Sequence, residues 1–376
     1  MASYTSRTVL IVAACREVPV QVTGRWRFFA TLNLSVLMIS HTMEAHAMKV
    51  FLFTGVTVLA MIATLIVTVP LQVAAQAQVA RIELHAISST TLTDQQFLTG
   101  VGEGQPVILA GELRIPQPGT SRLPAVILVH GSGGIGSNVD LWSQELNGIG
   151  IATLILDSFT ARRIVSTVND QTQLGRLAMI VDSYRALELV AKHPRIDATR
   201  IALMGFSRGG QAVLYASLKR FQRMHGPSDA AFAAYVPFYA PCNTSFVDDT
   251  DVVDRAIRLF HGTADNYAPV SPCRSYVAKL RAAGKDVQLT EYAGAHHAFD
   301  VPMLKTPLTL SQAPTTRNCL LEESPVGQII NSRTKQPFRY EDPCVERGPT
   351  VVYDAQATGE AVKAVKEFVS TTFKLK

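Results

Sequence analysis

Residues 200–220 read RIALMGFSRGGQAVLYASLKR, and this stretch decides the path of the chain. Its first part is a short unbroken apolar run, as expected for a strand buried on both faces. The run ends in Gly205-Phe206-Ser207-Arg208-Gly209, with Gly210 next. Small residues two before and two after a serine let the backbone turn sharply from strand to helix while the hydroxyl is held out at the turn. A bare G-x-S-x-G is a weak signal. Here it follows a buried strand and opens a helix expected over Ser207 to Arg220, which is the context that gives the pattern meaning.

On either side of this turn, apolar runs alternate with stretches of helical spacing. RIELHAIS and VILAGELRIP read as N-terminal strands, AVILVHGSGGIG as a buried strand ending in glycines, and IATLILD as another. FAAYVPFYA, AIRLFHG and VQLTEYAG follow later in the chain. Helices are expected around Leu141 to Asn147, over Gln171 to Lys192, over Ser271 to Ala283, and from Ala355 to Phe373. Such alternation predicts an α/β fold with a mainly parallel sheet covered by helices on both faces. The stretch 301–351 is polar, proline-rich and helix-poor, and reads as an irregular insertion or lid before the last helix.

A serine hydroxyl is a poor nucleophile at neutral pH, so a base must take its proton and a carboxylate must orient that base. Candidates belong after later strands, at the same sheet edge. Asp265 lies in HGTAD directly after AIRLFHG, and His297 lies in GAHHAF directly after VQLTEYA. The order serine, aspartate, histidine is the one a nucleophile-elbow arrangement requires. His296 is the rival base, and Asp157 and Asp300 are alternative acids. For the developing oxyanion, two backbone donors are expected: the amide of Arg208 and that of Ser132, in the loop His130-Gly131-Ser132-Gly133-Gly134. His130 itself reads as a hydrogen-bonded structural histidine. Arg162 and Arg163 are placed near the mouth, where they would attract an anionic substrate, or else form a solvated basic pair.

The ordered set GELRIP, PAVILVHGSGG, DSF, HPRIDATRIALMGFSRGG, LFHGTAD and YAGAHHAFD resembles the dienelactone hydrolase family of α/β-hydrolases. The resemblance covers residues 82–300 and the last helix. It implies an eight-stranded sheet, no cofactor, and hydrolysis of esters or lactones, with Ser207 as nucleophile, Asp265 as acid and His297 as base. The family's namesake enzymes carry cysteine as nucleophile. Serine here favours a general ester hydrolase over a dienelactone substrate, and the insertion 301–351 departs from the family's short form.

The whole chain has 376 residues, 47% of them hydrophobic, and a net charge of +5, which excludes a disordered chain. Setting aside residues 1–77, which hold five basic and two acidic residues, leaves 30 basic against 28 acidic. With no basic stripe and interleaved aromatics, nucleic acid is not an expected partner. Lys49 and the apolar run that follows it, ending in Ala75-Gln76-Ala77, read as a signal peptide over 48–77 cut after Ala77. Since the run is also long enough to span a bilayer, an uncleaved membrane anchor at 50–69 is the alternative. Either way the domain from 78 to 376 is expected outside the cytoplasm, periplasmic or secreted, and residues 1–47 form an extension without evident fold.

Cys242, Cys273, Cys319 and Cys344 are an even number, suited to an oxidising compartment, and their spacing matches no zinc pattern. Placement at neighbouring strand ends predicts Cys242–Cys273, and placement within the insertion predicts Cys319–Cys344. Asn243-Thr244-Ser245 fits an N-glycosylation acceptor in hosts with the machinery. The resulting expectation is an exported serine hydrolase of small-molecule carboxylic esters acting through an acyl-enzyme. A serine peptidase and a non-catalytic hydrolase-like binding protein are the alternatives.

Overall fold

Leu123–Val129 is buried at every one of its positions. A strand with no solvent face must have partners on both edges and cover on both faces. The computed structural model, which describes residues 79–375, places it inside an eight-stranded sheet. In chain order the strands are β1 (Arg81–Thr91), β2 (Gln105–Ile115), β3 (Leu123–Val129), β4 (Ala152–Asp157), β5 (Ile196–Phe206), β6 (Ala234–Phe238), β7 (Ala256–Gly262) and β8 (Val287–Tyr292). They lie in the order β1-β2-β4-β3-β5-β6-β7-β8. The pairings of β1 with β2 and of β2 with β4 are antiparallel, and all the others are parallel. The signal, anchor and extension readings of residues 1–77 lie outside the described residues. No helix among the described residues is long and apolar enough to cross a membrane.

Among the described residues seven helices accompany the sheet: α1 (Asp94–Thr99), α2 (Ser137–Asn147), α3 (Ala178–Ala191), α4 (Arg208–Tyr215), α5 (Lys219–His225), α6 (Val270–Ala282) and α7 (Ala355–Phe373). Two cores result. One packs α2 and α7 on one face through Trp142, Leu146, Val365 and Val369; the other packs α3, α4 and α6 on the opposite face through Leu187, Val213 and Leu280. Side chains on both faces therefore strip the central strands of water, as their continuous apolar sequences require.

Two expected helices are shorter than their patterns. Over Gln171 to Lys192 only Ala178–Ala191 is α-helical, preceded by a single turn at Gln171–Gln173. The buried guanidinium of Arg208 donates to the carbonyl oxygens of Gln171, Leu174 and Gly175, groups that a continuous helix would have used itself. The expected helix from Ser207 to Arg220 divides into α4 and α5, because Leu218 leaves helical geometry and bridges to Val252. The insertion is likewise more ordered than expected. Leu321–Glu323 pairs with Ile329–Asn331 and also with Thr244–Ser245 of the body, and two further two-residue ladders close it. An Arg220–Glu323 ion pair adds to that attachment. The cysteines pair as Cys242–Cys273 and Cys319–Cys344.

The turn between β5 and α4 is close-packed. A Cβ added at Gly209 would lie 2.3 Å from the Val129 carbonyl oxygen and 2.5 Å from that of His130, both immovable backbone. Overpacking of this kind typically destabilises by about 1–3 kcal/mol and sometimes more. Gly209→Ala is therefore expected to lower the thermal unfolding midpoint by several degrees or to abolish folding. Gly133→Ala, where nothing lies within 4 Å of the added carbon, should leave the midpoint nearly unchanged.

Candidate active site

Ser207 stands between β5 and α4 with φ 54° and ψ −114°, a conformation that L-residues rarely adopt and that surrounding structure must hold. Its amide donates to the Phe238 carbonyl at the end of β6. Two loops from other strand ends meet on its hydroxyl side, one contacting it and one contacting the first. After β8, His297 Nε2 lies 2.9 Å from Ser207 Oγ; after β7, Asp265 Oδ2 lies 2.7 Å from His297 Nδ1. Three residues predicted from separate strand ends are thus brought into one hydrogen-bonded chain.

Asp265 is buried and fully partnered. Its Oδ1 accepts from the amides of Tyr267 at 2.8 Å and Ala268 at 2.9 Å, and its Oδ2 faces His261 Nε2 at 3.3 Å as well as His297. Burial alone would push the carboxyl up. The neighbouring His297 and the hydrogen bonds from His261 and His297 outweigh it and hold the group well below the usual carboxylate range. Sequence reasoning misses His261 as part of this arrangement; it opens the HGTAD run but carries no spacing signal of its own.

The rival assignments occupy other roles. Asp157 accepts from the amides of Phe159 and Thr160, closing a turn after β4. Asp300 is buried behind the histidine, where it accepts from Trp142 Nε1 at 2.7 Å and from the Tyr239 hydroxyl at 2.6 Å; burial raises its carboxyl. The Tyr239 ring sits 4.7 Å from that of His297, so this network backs the imidazole. His296 is half-buried, and its Nδ1 has no partner among the described residues.

His130 is structural in the expected sense. Its Nδ1 donates to the Gly131 carbonyl at 2.8 Å while Nε2 accepts from the Ser158 amide at 3.2 Å, and burial lowers its pKa. The glycine loop it begins runs beside the serine: a Cβ on Gly131 would lie 3.3 Å from Ser207 Cβ. Among the described residues the amides of Ser132 and Arg208 donate to no protein acceptor, and both residues line the cavity at Ser207.

The basic pair corrects an expectation. Arg162 neither flanks the mouth nor stands in solvent: it pairs with buried Asp182 through both terminal nitrogens and reaches Thr91 Oγ1 through Nε. An ion pair already satisfied in the interior has no charge to offer a substrate, and its neighbour Arg163, at φ 59°, is exposed and does not line the cavity at Ser207. The Asn243 side chain is also engaged, since its Nδ2 donates to the Thr316 carbonyl and hydroxyl and to the Cys319 carbonyl. Attachment of a glycan there would remove one of the two Nδ2 hydrogens that serve these acceptors and place a sugar among them.

Gln171 is the residue that the helical reading hid. Its Oε1 accepts from Arg208 Nη1 at 2.8 Å, and its Nε2 lies 3.1 Å from Ser132 Oγ and 3.4 Å from the Tyr267 hydroxyl. One amide therefore ties together the nucleophile helix, the glycine loop and the acid loop. Tyr267 flanks His297 with ring centroids 4.8 Å apart, and burial pushes its hydroxyl up to about 12. No periodicity in residues 158–177 announces these contacts.

The chain is similar to several known proteins. A probable 2-oxo-3-(5-oxofuran-2-ylidene)propanoate lactonase of a Bradyrhizobium species is 24% identical over 189 residues, covering 48% of this chain and 75% of that protein. Among solved structures, m3DLH is 19% identical with a TM-score of 0.50, spanning 77% of this chain and 98% of its own. A dienelactone hydrolase-like promiscuous phosphotriesterase from metagenomic libraries is 16% identical with a TM-score of 0.48, at the same coverage. The family model of the dienelactone hydrolases matches residues 111–373, so this chain, with its eight-stranded sheet and elbow serine, belongs to the dienelactone hydrolase family.

Proposed function

We propose that this dienelactone hydrolase family member is a serine esterase in which Ser207, His297 and Asp265 act as nucleophile, base and acid. The observation that carries the reading is the continuous hydrogen-bonded chain from Asp265 through His297 to Ser207, with both heavy-atom distances, 2.7 Å and 2.9 Å, in the range of strong hydrogen bonds. Membership of a hydrolase family implies small-molecule substrates.

His297 Nε2 takes the hydroxyl proton as Ser207 Oγ adds to the ester carbonyl. Asp265 keeps the proton on Nδ1 and stabilises the resulting imidazolium. The amides of Ser132 and Arg208, which have no protein acceptor among the described residues, are the donors proposed for the oxyanion. Collapse of the tetrahedral intermediate breaks the bond to the alcohol, which leaves with the proton from His297 Nε2. Water then adds to the acyl-enzyme with His297 again as base, releasing the acid and restoring the Ser207 hydroxyl. A lactone follows the same steps with its alcohol still attached, and the Bradyrhizobium relative's name keeps cyclic esters in the substrate range.

We also infer that the domain works outside the cytoplasm. Two cysteine pairs at bonding distance support this, because such bonds persist in oxidising compartments.

Ser207→Ala is expected to keep the fold, to lose labelling by a fluorophosphonate probe, and to lower ester turnover by roughly four orders of magnitude or more. Retained labelling at another serine would displace the assignment. His297→Ala should nearly abolish turnover, whereas His296→Ala should retain much of it; a reversed ranking in kcat would move the base by one position.

The depressed Asp265 carboxyl also makes a stability prediction. A carboxylate bound more tightly to its partners in the folded state contributes stability that is present above its unfolded value, about 3.9, and lost as pH falls toward the folded one. Urea unfolding of the wild type and Asp265→Asn should therefore show the larger gap near pH 6 and a narrowing gap from about pH 4 to pH 3. A gap that widens on acidification would contradict the charge compensation seen around Asp265.

A further inference from the structure

The cavity at Ser207 and His297 has a volume of about 50 Å³. It has room for the reacting carbonyl and a short substituent, and it is well below the roughly 300–1,000 Å³ of ordinary ligand sites. Directly beside it lies a groove of about 420 Å³. Gln171, Arg176 and Tyr340 belong to the walls of both spaces, and Arg176 Nη1 stands 3.4 Å from the Tyr340 hydroxyl at that common boundary. The two spaces share these side chains as a common wall, so a substrate extending from Ser207 would pass Arg176 and Tyr340 to reach the larger one. One side of the groove is the loop before α3, and the other is the insertion, whose Phe338 also carries the Arg176 guanidinium at 5.5 Å.

The lining limits what can lie there. Asp94 and Glu341 line the groove together with Arg176 and Arg339, Gln95 and Gln328 add amides, and Leu174, Ile329, Pro337 and Phe338 supply apolar surface between them. A purely alkyl arm could rest on the apolar part of the lining but would strip water from the polar groups and return no hydrogen bond, whereas a hydroxylated carbon ring offers both an apolar face and hydrogen-bonding edges. The charged groups are of both signs and equal in number, so the groove does not select a net charge. A neutral arm bearing several hydroxyls, each able to donate and accept, fits this mixture of donors and acceptors.

We propose that the groove beneath the insertion is the second half of the substrate site and takes a neutral, polyhydroxylated arm of an ester whose other arm is short. The reading rests on Ser207 being the nucleophile, and it makes the insertion the wall of the subsite that sets specificity. The Cys319–Cys344 pair brackets the wall-forming residues 328–341 and so ties the ends of that segment together.

The test compares two acetate esters of similar size, methyl 6-O-acetylglucoside and cyclohexylmethyl acetate, so that only the polarity of the alcohol differs. The wild type is expected to favour the sugar ester by about tenfold or more in kcat/KM, since a site built to hydrogen-bond hydroxyls rejects an analogue lacking them. Gln328→Ala and Arg176→Gln should each reduce that ratio, through KM more than kcat. Calorimetry with the 6-acetamido analogue of the glucoside reads the groove without turnover, and its affinity should fall in the same variants. Equal use of both esters by the wild type would overturn the groove and leave the nucleophile assignment standing. Turnover of neither ester, with analogue binding still dependent on Gln328, would overturn the nucleophile reading and leave the groove. Neither turnover nor binding of the analogue would overturn both.

Discussion

At φ 54° and ψ −114°, Ser207 holds a conformation that persists only because the chain around it leaves no alternative. Three glycines supply that confinement. A Cβ on Gly205 would lie 2.6 Å from the Gly209 carbonyl oxygen, one on Gly209 would lie 2.3 Å from that of Val129, and one on Gly210 would lie 2.4 Å from that of Phe238. The ends of β3, β5 and β6 therefore meet within backbone contact, closer than any side chain allows. Everything that follows those strands, the glycine loop after β3 included, must leave from the same point. The convergence of loops on the serine is thus a packing result first, and the chemistry makes use of it.

Charge inside this crowded edge is handled by two different means. Asp265 is anionic and buried, and it is stabilised by two backbone amides and two imidazoles, so that little of its field is left uncompensated. Arg208 is cationic and buried as well, in the wall of the cavity at Ser207. It meets no carboxylate within ion-pair distance among the described residues, and its terminal nitrogens are instead satisfied by the carbonyls of Gln171, Leu174 and Gly175, by Gln171 Oε1 and by Thr167 Oγ1.

The sheet was legible because its strands are nearly pure signals. Leu123–Val129 and Ile201–Phe206 are apolar at almost every position, and each ends in glycines or a charged turn that only a strand end explains. Ser207, Asp265 and His297 were legible for the same reason, each lying directly past a strand. Residues between 158 and 177 were not. The side chain of Arg208, distant in sequence, holds Thr167 and the carbonyls of Gln171, Leu174 and Gly175, and no local pattern records a long-range hydrogen bond to a carbonyl. The misplacing of Arg162 has the same origin: Asp182, its partner, is twenty positions away on α3, where an apolar helical pattern gives no hint of a buried acid. The insertion hid its short ladders because two- and three-residue strands fall below the length at which alternation can be recognised.

These threads meet in Arg208. In the proposed mechanism its backbone amide is one oxyanion donor, placed there by the turn at Ser207. Its side chain reaches back to the loop at Gln171–Gly175 and holds Gln171 Oε1, while Gln171 Nε2 contacts the hydroxyl of Ser132, whose amide is the other proposed donor. Both donors thus depend on one residue, the first through the main chain and the second through two side-chain contacts. An oxyanion hole is effective to the degree that its dipoles need not reorganise during reaction. A short, buried linkage between the two donors, made from the residue next to the nucleophile itself, supplies that rigidity without any group that could titrate within the working range of the histidine.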